Sequence, residues 1–458
     1  MLHFTIKEAA AAMNALYNGG EEGEIHRVSI DSRDIEENTL FIAIKGERFD
    51  GHDFLESALA SGAVCAVSHR KEDIGKPGVM VVDDTEQALC DLAHAHRMKF
   101  DIPVAGVTGS VGKTTTKEMI ACCLATKYQV KKTEGNHNNQ IGMPRTLLEL
   151  TDEDTAAVME MGSQGPGEIR QLTLCAAPQV AVITKIGVSH LERFGSQENI
   201  LKGKLEIAEG LPKDGTLVLN IDDPFLVSAV EEMRKKHHLL TYAVDDKTAD
   251  IYAKEISGGA YSQSFIFCYG NIQLPVFLPV GGLHNVYNAL AALSVAVALE
   301  VDLKAAVKAL GKYEPSGQRQ KVTPLSGRTM IEDCYNASPD SMEAALKILS
   351  RCEGAPRIAV LGDMLELGDI SKEAHHRVGV QAASLQLDLV LCVGEDAKEI
   401  VSGVQEVQSR TRACHFESKD ALCRALEEAA VEGCTVLFKG SRGMHMEQYL
   451  QHLEQVLH

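Results

Sequence analysis

The chain reads as an α/β protein of three domains: a small N-terminal α/β domain, a central parallel-sheet domain containing a phosphate-binding loop, and a C-terminal Rossmann-like α/β domain. Three observations predict this. Short apolar runs alternate with helix-like stretches along most of the chain, the order that builds parallel sheets with helices on their faces. A glycine-rich turn, Thr108-Gly-Ser-Val-Gly-Lys-Thr-Thr115, sits between one such run and one such helix. The length, 458 residues, corresponds to roughly three domains.

The first domain is expected over residues 1–84. Ile25–Ile30 and Leu40–Ile44 read as strands, Asp53–Ser61 as a helix, and Ala63–Val67 and Val79–Val82 as further apolar runs. Asp84-Thr-Glu-Gln then caps the helix that opens the second domain. The second domain, 85–313, continues with the run from Val104, the glycine-rich loop and a helix over Lys117–Tyr128. Apolar runs recur at Ala156–Met161, Val180–Ile186 and Thr216–Asn220, which argues for a doubly wound parallel sheet. Tyr252–Val280 alternates differently and reads as a small antiparallel insertion, before a helix over Asn285–Leu299. The third domain, 314–458, has strand candidates at Thr329–Asp333, Arg357–Leu361, Leu387–Val393 and Thr435–Phe438, with helices between them.

Composition excludes several classes. No apolar run approaches the ~18 residues of a membrane-spanning helix, and the N-terminus lacks a basic segment followed by an apolar one. A cytoplasmic protein without membrane insertion is expected. The net charge of −19 argues against a general nucleic-acid binder, although an anionic substrate can still sit in a locally basic cleft. Twelve cysteines are scattered with none in a Cys-x-x-Cys pair. Buried free thiols fit that pattern better than a zinc site among them.

The loop carries the strongest chemistry. Small residues let backbone N–H groups close around phosphate oxygens, and the following helix N-terminus adds partial positive charge. Lys113 would reach the β/γ-phosphates and Thr114 would ligate Mg²⁺. The pattern lacks the first glycine of the usual motif, where Val107 stands. An ordinary glycine-rich turn is the bland alternative.

Weaker signals surround it. Glu160 closes the run Ala156–Met161, the place for a second Mg²⁺ ligand or for a solvated strand-end carboxylate. His190 follows the next run, with a structural or a metal role. Lys202 and Lys204 read by residue type as solvent-facing. Asn285 and Asn288, three apart, share a helix face and could read a base edge, hold a phosphate or cap the helix. Arg319 could clamp a transferring phosphoryl group. Asp333, closing a strand, could accept from a ribose hydroxyl.

Together and in this order these pieces resemble the Mur ligases, the ATP-dependent amino-acid ligases of peptidoglycan synthesis. The family's phosphate loop also lacks the first glycine. Within the family the motifs resemble most the branch that joins D-alanyl-D-alanine to UDP-N-acetylmuramoyl-tripeptide. They are Asp31-Ser-Arg33, Phe49-Asp-Gly-His52, Gly135-Asn-His-Asn-Asn-Gln-Ile-Gly-Met-Pro144, Asp333-Cys-Tyr-Asn-Ala-Ser-Pro339, Leu361-Gly-Asp-Met-Leu-Glu-Leu-Gly368 and Lys439-Gly-Ser-Arg-Gly-Met-His-Met-Glu447. The neighbouring branch shares Asp-Ser-Arg but carries Asp-Asn-Pro-Arg in its last domain, which is absent here.

The resemblance implies a site. Thr108, Gly109, Ser110, Val111, Gly112, Lys113, Thr114 and Thr115 would hold ATP, with Asn285, Asn288, Arg319 and Asp333. Thr114, Glu160, His190 and Lys204 would hold two Mg²⁺ ions, Lys204 as a carbamate. Lys113, Lys204, His190 and Arg319 would serve catalysis. Ser32, Arg33, Lys45, Gly46, Asn138, Asn139 and Asn336 would bind the UDP-sugar peptide. A monomer is implied. Cyanophycin-type and folate-tail ligases are rivals that the Asp-Ser-Arg first domain disfavours. A nucleotide-switched scaffold would need the loop alone.

Overall fold

The computed structural model describes residues 2–19, 23–46 and 48–457. It divides into two compact units, each interrupted in sequence. One comprises residues 1–108, 127–182 and 203–217, the other 109–126, 183–202 and 218–458.

In the first unit, Phe4–Thr5 pairs antiparallel with Glu24–Ile25. The helix Ile6–Ala12, which the sequence reading missed, follows directly with a capping box in which Thr5 and Glu8 satisfy each other's N-terminal groups. The expected strand Ile25–Ile30 is broken into Glu24–Ile25 and Arg27–Ser29. The second piece leads a four-stranded parallel sheet with Thr39–Ile42, Cys65–Ser68 and Val79–Val81. The expected helix near residue 53 is a short 3₁₀ turn, Gly51–Phe54, running into Leu55–Ala60. Asp84 caps Thr85–Arg97 through the backbone N–H groups of Glu86 and Gln87, as expected. Farther along, Ala156–Glu160 lies between Val104–Thr108 and Val130–Lys132, all parallel. Val130–Lys132 is short and half-buried, too weakly patterned to be read beforehand.

In the second unit, the phosphate-loop helix runs Lys113–Leu124, four residues earlier than expected. Thr114 and Thr116, poor helix formers by β-branching, are buried there. Thr116 donates its hydroxyl to Asn288 Oδ1 at 3.1 Å, so tertiary contacts override propensity. The antiparallel insertion is Ile251–Gly258, Gln263–Tyr269 and Ile272–Leu278. It is joined in parallel to His238–Ala243, a strand absent from the reading above.

The C-terminal part of this unit is a six-stranded sheet. Its order is Lys321–Leu325, Arg328–Asp333, Thr435–Lys439, Arg357–Leu361, Leu389–Val393, Arg412–Phe416, with only the first strand antiparallel. Period-two alternation covers both faces. Ile331, Leu437, Ala359, Leu361, Val390 and Cys392 pack against the helices Pro339–Ser350, Ser371–Ser384 and Lys398–Glu406. Met330, Val436, Phe438, Ile358, Val360 and Leu391 pack against Lys419–Ala429 and Glu447–Leu457. Truncating one of these leucines to alanine costs about 2–5 kcal/mol. The chain returns from the outer strands to place Thr435–Lys439 beside Arg357–Leu361. Asp333, Lys439 and Leu361 then fall in one row at the strands' C-terminal ends, where open α/β sheets bind ligands.

Candidate active site

The second unit holds the loop. Gly109 has φ +144°, and a Cβ there would lie 2.0 Å from Thr184 Oγ1. Thr184 in turn donates to Val111 O at 2.6 Å, and Ser110 N donates to Lys185 O at 2.8 Å. The loop is thus pinned against the chain just after the strand Val180–Ile183, and only glycine fits at 109. Gly112, at φ +84°, is the residue from which the helix starts. Lys113 folds back over its loop and donates to Gly109 O at 2.7 Å and Ser110 O at 3.3 Å. Ser110 Oγ is buried without a hydrogen-bond partner. A hydroxyl left over in a loop whose N-terminal helix field favours anions fits a phosphate oxygen. Thr114 is buried in the first turn, and Thr115 is half-buried.

A relay of amides runs from this helix. Asn288 accepts from Thr116 and donates to Asn285 Oδ1 at 3.2 Å. Asn285 Nδ2 donates to Gly281 O at 2.7 Å and to Gln320 Oε1 at 2.9 Å. Gln320 Nε2 meets His284 Nε2 at 2.7 Å. With its oxygen engaged by Asn285, the Gln320 amide donates, so His284 Nε2 accepts and carries its proton on Nδ1. Burial holds the His284 imidazole down to about 4, against the opposing pull of the Asp333 carboxylate. Neither asparagine caps the helix Leu283–Ala298, because the cap is Gly282. The capping alternative is therefore excluded. Gln320 and His284 were not anticipated; polar residues inside Gln-Arg-Gln and Leu-His-Asn carry no motif signal by themselves.

Arg319 stacks its guanidinium 3.9 Å from the centre of the Tyr335 ring. Asp333 Oδ2 accepts from Lys439 Nζ at 2.6 Å, and that lysine also reaches Asn336 O at 3.0 Å. Asn336 turns its own Oδ1 back to Ala337 N. His190 takes a left-handed backbone at φ 59° before a four-residue helix. Its Nδ1 lies 2.5 Å from Glu366 Oε2, and nearby Lys185 Nζ donates to Asp340 Oδ1 at 2.6 Å.

The first unit holds the remaining residues. Thr108 closes its strand with the hydroxyl donating to Met161 O at 2.8 Å. Glu160 is only 1% exposed, which removes the reading of a solvated strand-end carboxylate. Its Oε1 accepts from Asn138 Nδ2 at 2.7 Å and its backbone N–H donates to Thr133 Oγ1 at 2.9 Å. Asn139 uses Oδ1 to receive Gly142 N at 2.8 Å, opening the helix Gly142–Leu148. Lys204 is 2% exposed and donates to Ser163 Oγ at 2.7 Å, whereas Lys202 is exposed. The solvent-facing reading therefore holds for Lys202 and fails for Lys204.

Near the N-terminus, Arg33 clamps Asp31 with two bonds, Nε to Oδ1 at 2.9 Å and Nη2 to Oδ2 at 2.7 Å. That clamp holds the Asp31 carboxyl down to about 2. Ser32 is half-buried beside it. Lys45 and Gly46 are exposed on a turn closed by Gly46 N donating to Phe49 O. Asp50 Oδ1 takes the Nδ1 proton of buried His52, whose Nε2 receives His69 N. The Phe-Asp-Gly-His stretch therefore folds its own turn.

Comparison with known proteins identifies the family. Residues 24–99 match the model for the Mur ligase family catalytic domain, 107–296 the Mur ligase middle domain, and 318–442 the Mur ligase glutamate ligase domain. The chain belongs to the Mur ligase family. It is 39% identical to the UDP-N-acetylmuramoyl-tripeptide–D-alanyl-D-alanine ligase of Bacillus subtilis (strain 168), over 94% of each chain. The crystal structure of MurF from Acinetobacter baumannii superposes with a TM-score of 0.91 at 34% identity over 99% of both chains. MurF ligase from Thermotoga maritima in complex with ADP gives 0.84 at 30% identity, over 94% of this chain and 97% of that one.

Proposed function

We propose that this chain joins D-alanyl-D-alanine to the terminal carboxylate of UDP-N-acetylmuramoyl-tripeptide, using ATP. The observation that carries it is the phosphate loop, shaped for an anion, within a chain that matches ligases of that name along almost its whole length. The reaction follows from carboxylate chemistry. A free carboxylate is a poor acyl donor because its leaving group would be oxide. Its oxygen therefore attacks the γ-phosphate of ATP, the bond to the β-phosphate oxygen breaks, and ADP leaves. The amine of the dipeptide adds to the acyl phosphate carbonyl, and inorganic phosphate departs as the peptide bond forms.

Residue roles follow the resemblance. Lys113 and the amides of the loop hold the β/γ-phosphates, while Asn285, Asn288, Arg319 and Asp333 contact the nucleotide. Thr114, Glu160, His190 and carbamylated Lys204 would hold two Mg²⁺ ions. By type, a hydroxyl, a buried carboxylate, an imidazole and a carbamate would be mostly hard oxygen donors, which suits Mg²⁺. Lys204 fits only as the carbamate, since an ammonium has no lone pair to offer. Bound there, the metal would neutralise charge on the transferring phosphoryl group. Ser32, Arg33, Lys45, Gly46, Asn138, Asn139 and Asn336 would line the path of the UDP-sugar peptide. Residues 1–84 would bind the uridine end, 85–313 ATP, and 314–458 would bring Arg319 and Asp333 to it. A monomeric, cytoplasmic enzyme of cell-wall precursor synthesis fits twelve free cysteines and the lack, among the described residues, of any helix able to cross a membrane.

Phosphate release from ATP and the UDP-sugar tripeptide, with and without D-alanyl-D-alanine, tests the assignment. Release that depends on the dipeptide is expected. Release indifferent to it overturns the assignment.

A further inference from the structure

The N-terminal ribbon brings together donors that the ligase reaction does not use. Phe4 pairs with Ile25 and Thr5 with Glu24 in an antiparallel register. Extended by one residue, that register sets His3 opposite His26. Glu24 stands two residues from His26 and so faces the same side. His3 Nε2 lies 3.5 Å from Glu24 Oε1, and His26 Nε2 lies 2.9 Å from Glu24 Oε2. One ligand atom from each residue falls within 4.8 Å of the others.

The ribbon is held from its opposite side. Phe4 and Ile25 are buried. Lys99 Nζ donates to His3 O at 2.6 Å and sits 3.5 Å over the Phe4 ring. The capping box at Thr5 fixes the strand's exit into its helix. The backbone that presents the donors is therefore anchored, while the donors themselves reach solvent.

We propose that His3, Glu24 and His26 form a site for a divalent transition metal of the Zn²⁺ or Co²⁺ class. Two imidazoles and a carboxylate are borderline ligands that favour those ions over Mg²⁺, which prefers all-oxygen surroundings. Tetrahedral bonds of about 2.0–2.2 Å set ligand atoms roughly 3.3 Å apart, inside the spread seen here, so small rotamer changes close the site. Water takes the fourth position. The ligands come from both strands, so a bound ion cross-links the ribbon and stabilises the folded form. The site is independent of the ligase assignment.

The test is calorimetric titration of the tag-free full chain with ZnCl₂ in excess Mg²⁺, together with visible absorption on adding CoCl₂. One Zn²⁺ per chain is expected, with a raised melting temperature and an imidazole-ligated Co²⁺ spectrum. His3→Ala/His26→Ala should weaken Zn²⁺ binding at least tenfold and abolish the melting shift, with dipeptide-dependent turnover in Mg²⁺ unchanged. Glu24→Gln, which keeps the shape and loses the anionic ligand, should show a smaller loss. Zn²⁺ binding equal in wild type and both variants, or none in wild type, overturns the proposal.

Discussion

Replacing Gly109 by alanine tests the phosphate loop directly. The new Cβ would stand 2.0 Å from Thr184 Oγ1 and 3.2 Å from Lys185 N. The Thr184 hydroxyl is engaged with Val111 O, so it cannot rotate away without loosening the loop on its far side. The backbone at φ +144° adds strain of about 1–3 kcal/mol for an L-residue, and overpacking adds about 1–3 kcal/mol. If half of that total is relieved by opening the loop, nucleotide binding loses about 1–3 kcal/mol, or roughly 5–150-fold in affinity. ADP titration by calorimetry measures it, with thermal denaturation reporting how much of the cost the fold absorbs. Gly109→Ala binding ADP within twofold of wild type, with an unchanged melting temperature, would refute the claim that this close approach shapes the site.

Other outcomes follow from particular contacts. Lys204→Arg keeps the charge but cannot form a carbamate, and turnover should fall by on the order of 100-fold or more. Lys202→Ala should be near wild type in the same phosphate-release assay. Gln320→Ala breaks the link between Asn285 and His284 and should raise KM for ATP and lower kcat, with partial rescue by Gln320→Glu above the carboxylate range. His284, held down to about 4 by burial, binds its proton more readily unfolded. Its contribution is complete above the ordinary histidine value near 6.5 and is lost as pH falls from there toward 4, at most about 3 kcal/mol. Urea unfolding at intervals across that window should show the decline, and His284→Asn should flatten it. Arg33→Ala should return the Asp31 carboxyl from about 2 toward its usual range in an NMR titration.

Much of this was legible because it rests on local rules. The strands Thr216–Asn220 and Arg357–Leu361 stand where continuous apolar runs ended in turn residues. Asp84 caps its helix by side-chain chemistry that needs no distant partner. The missed strands lack a clean apolar run: His238–Ala243 opens on an exposed histidine and carries Thr241, while Lys321–Leu325 and Arg412–Phe416 are mixed in residue type and largely exposed or half-buried. The helix at Ile6 was hidden by its shortness, although Thr5 and Glu8 spell a capping box.

The same division separates the site residues. Lys113 and Thr114 stand out as candidates from spacing alone, since loop, glycine and helix start are consecutive. Lys204 could not, because residue type favours solvent and the neighbouring Lys202 is chemically identical. Burial is what tells them apart: one lysine reaches water, and the other meets Ser163 within the fold. A buried lysine costs stability unless something uses it, and a carbamate that converts it to an oxygen ligand is such a use. The helix Gln197–Leu205 therefore carries, two residues apart, a lysine whose loss the enzyme should tolerate and one whose loss it should not.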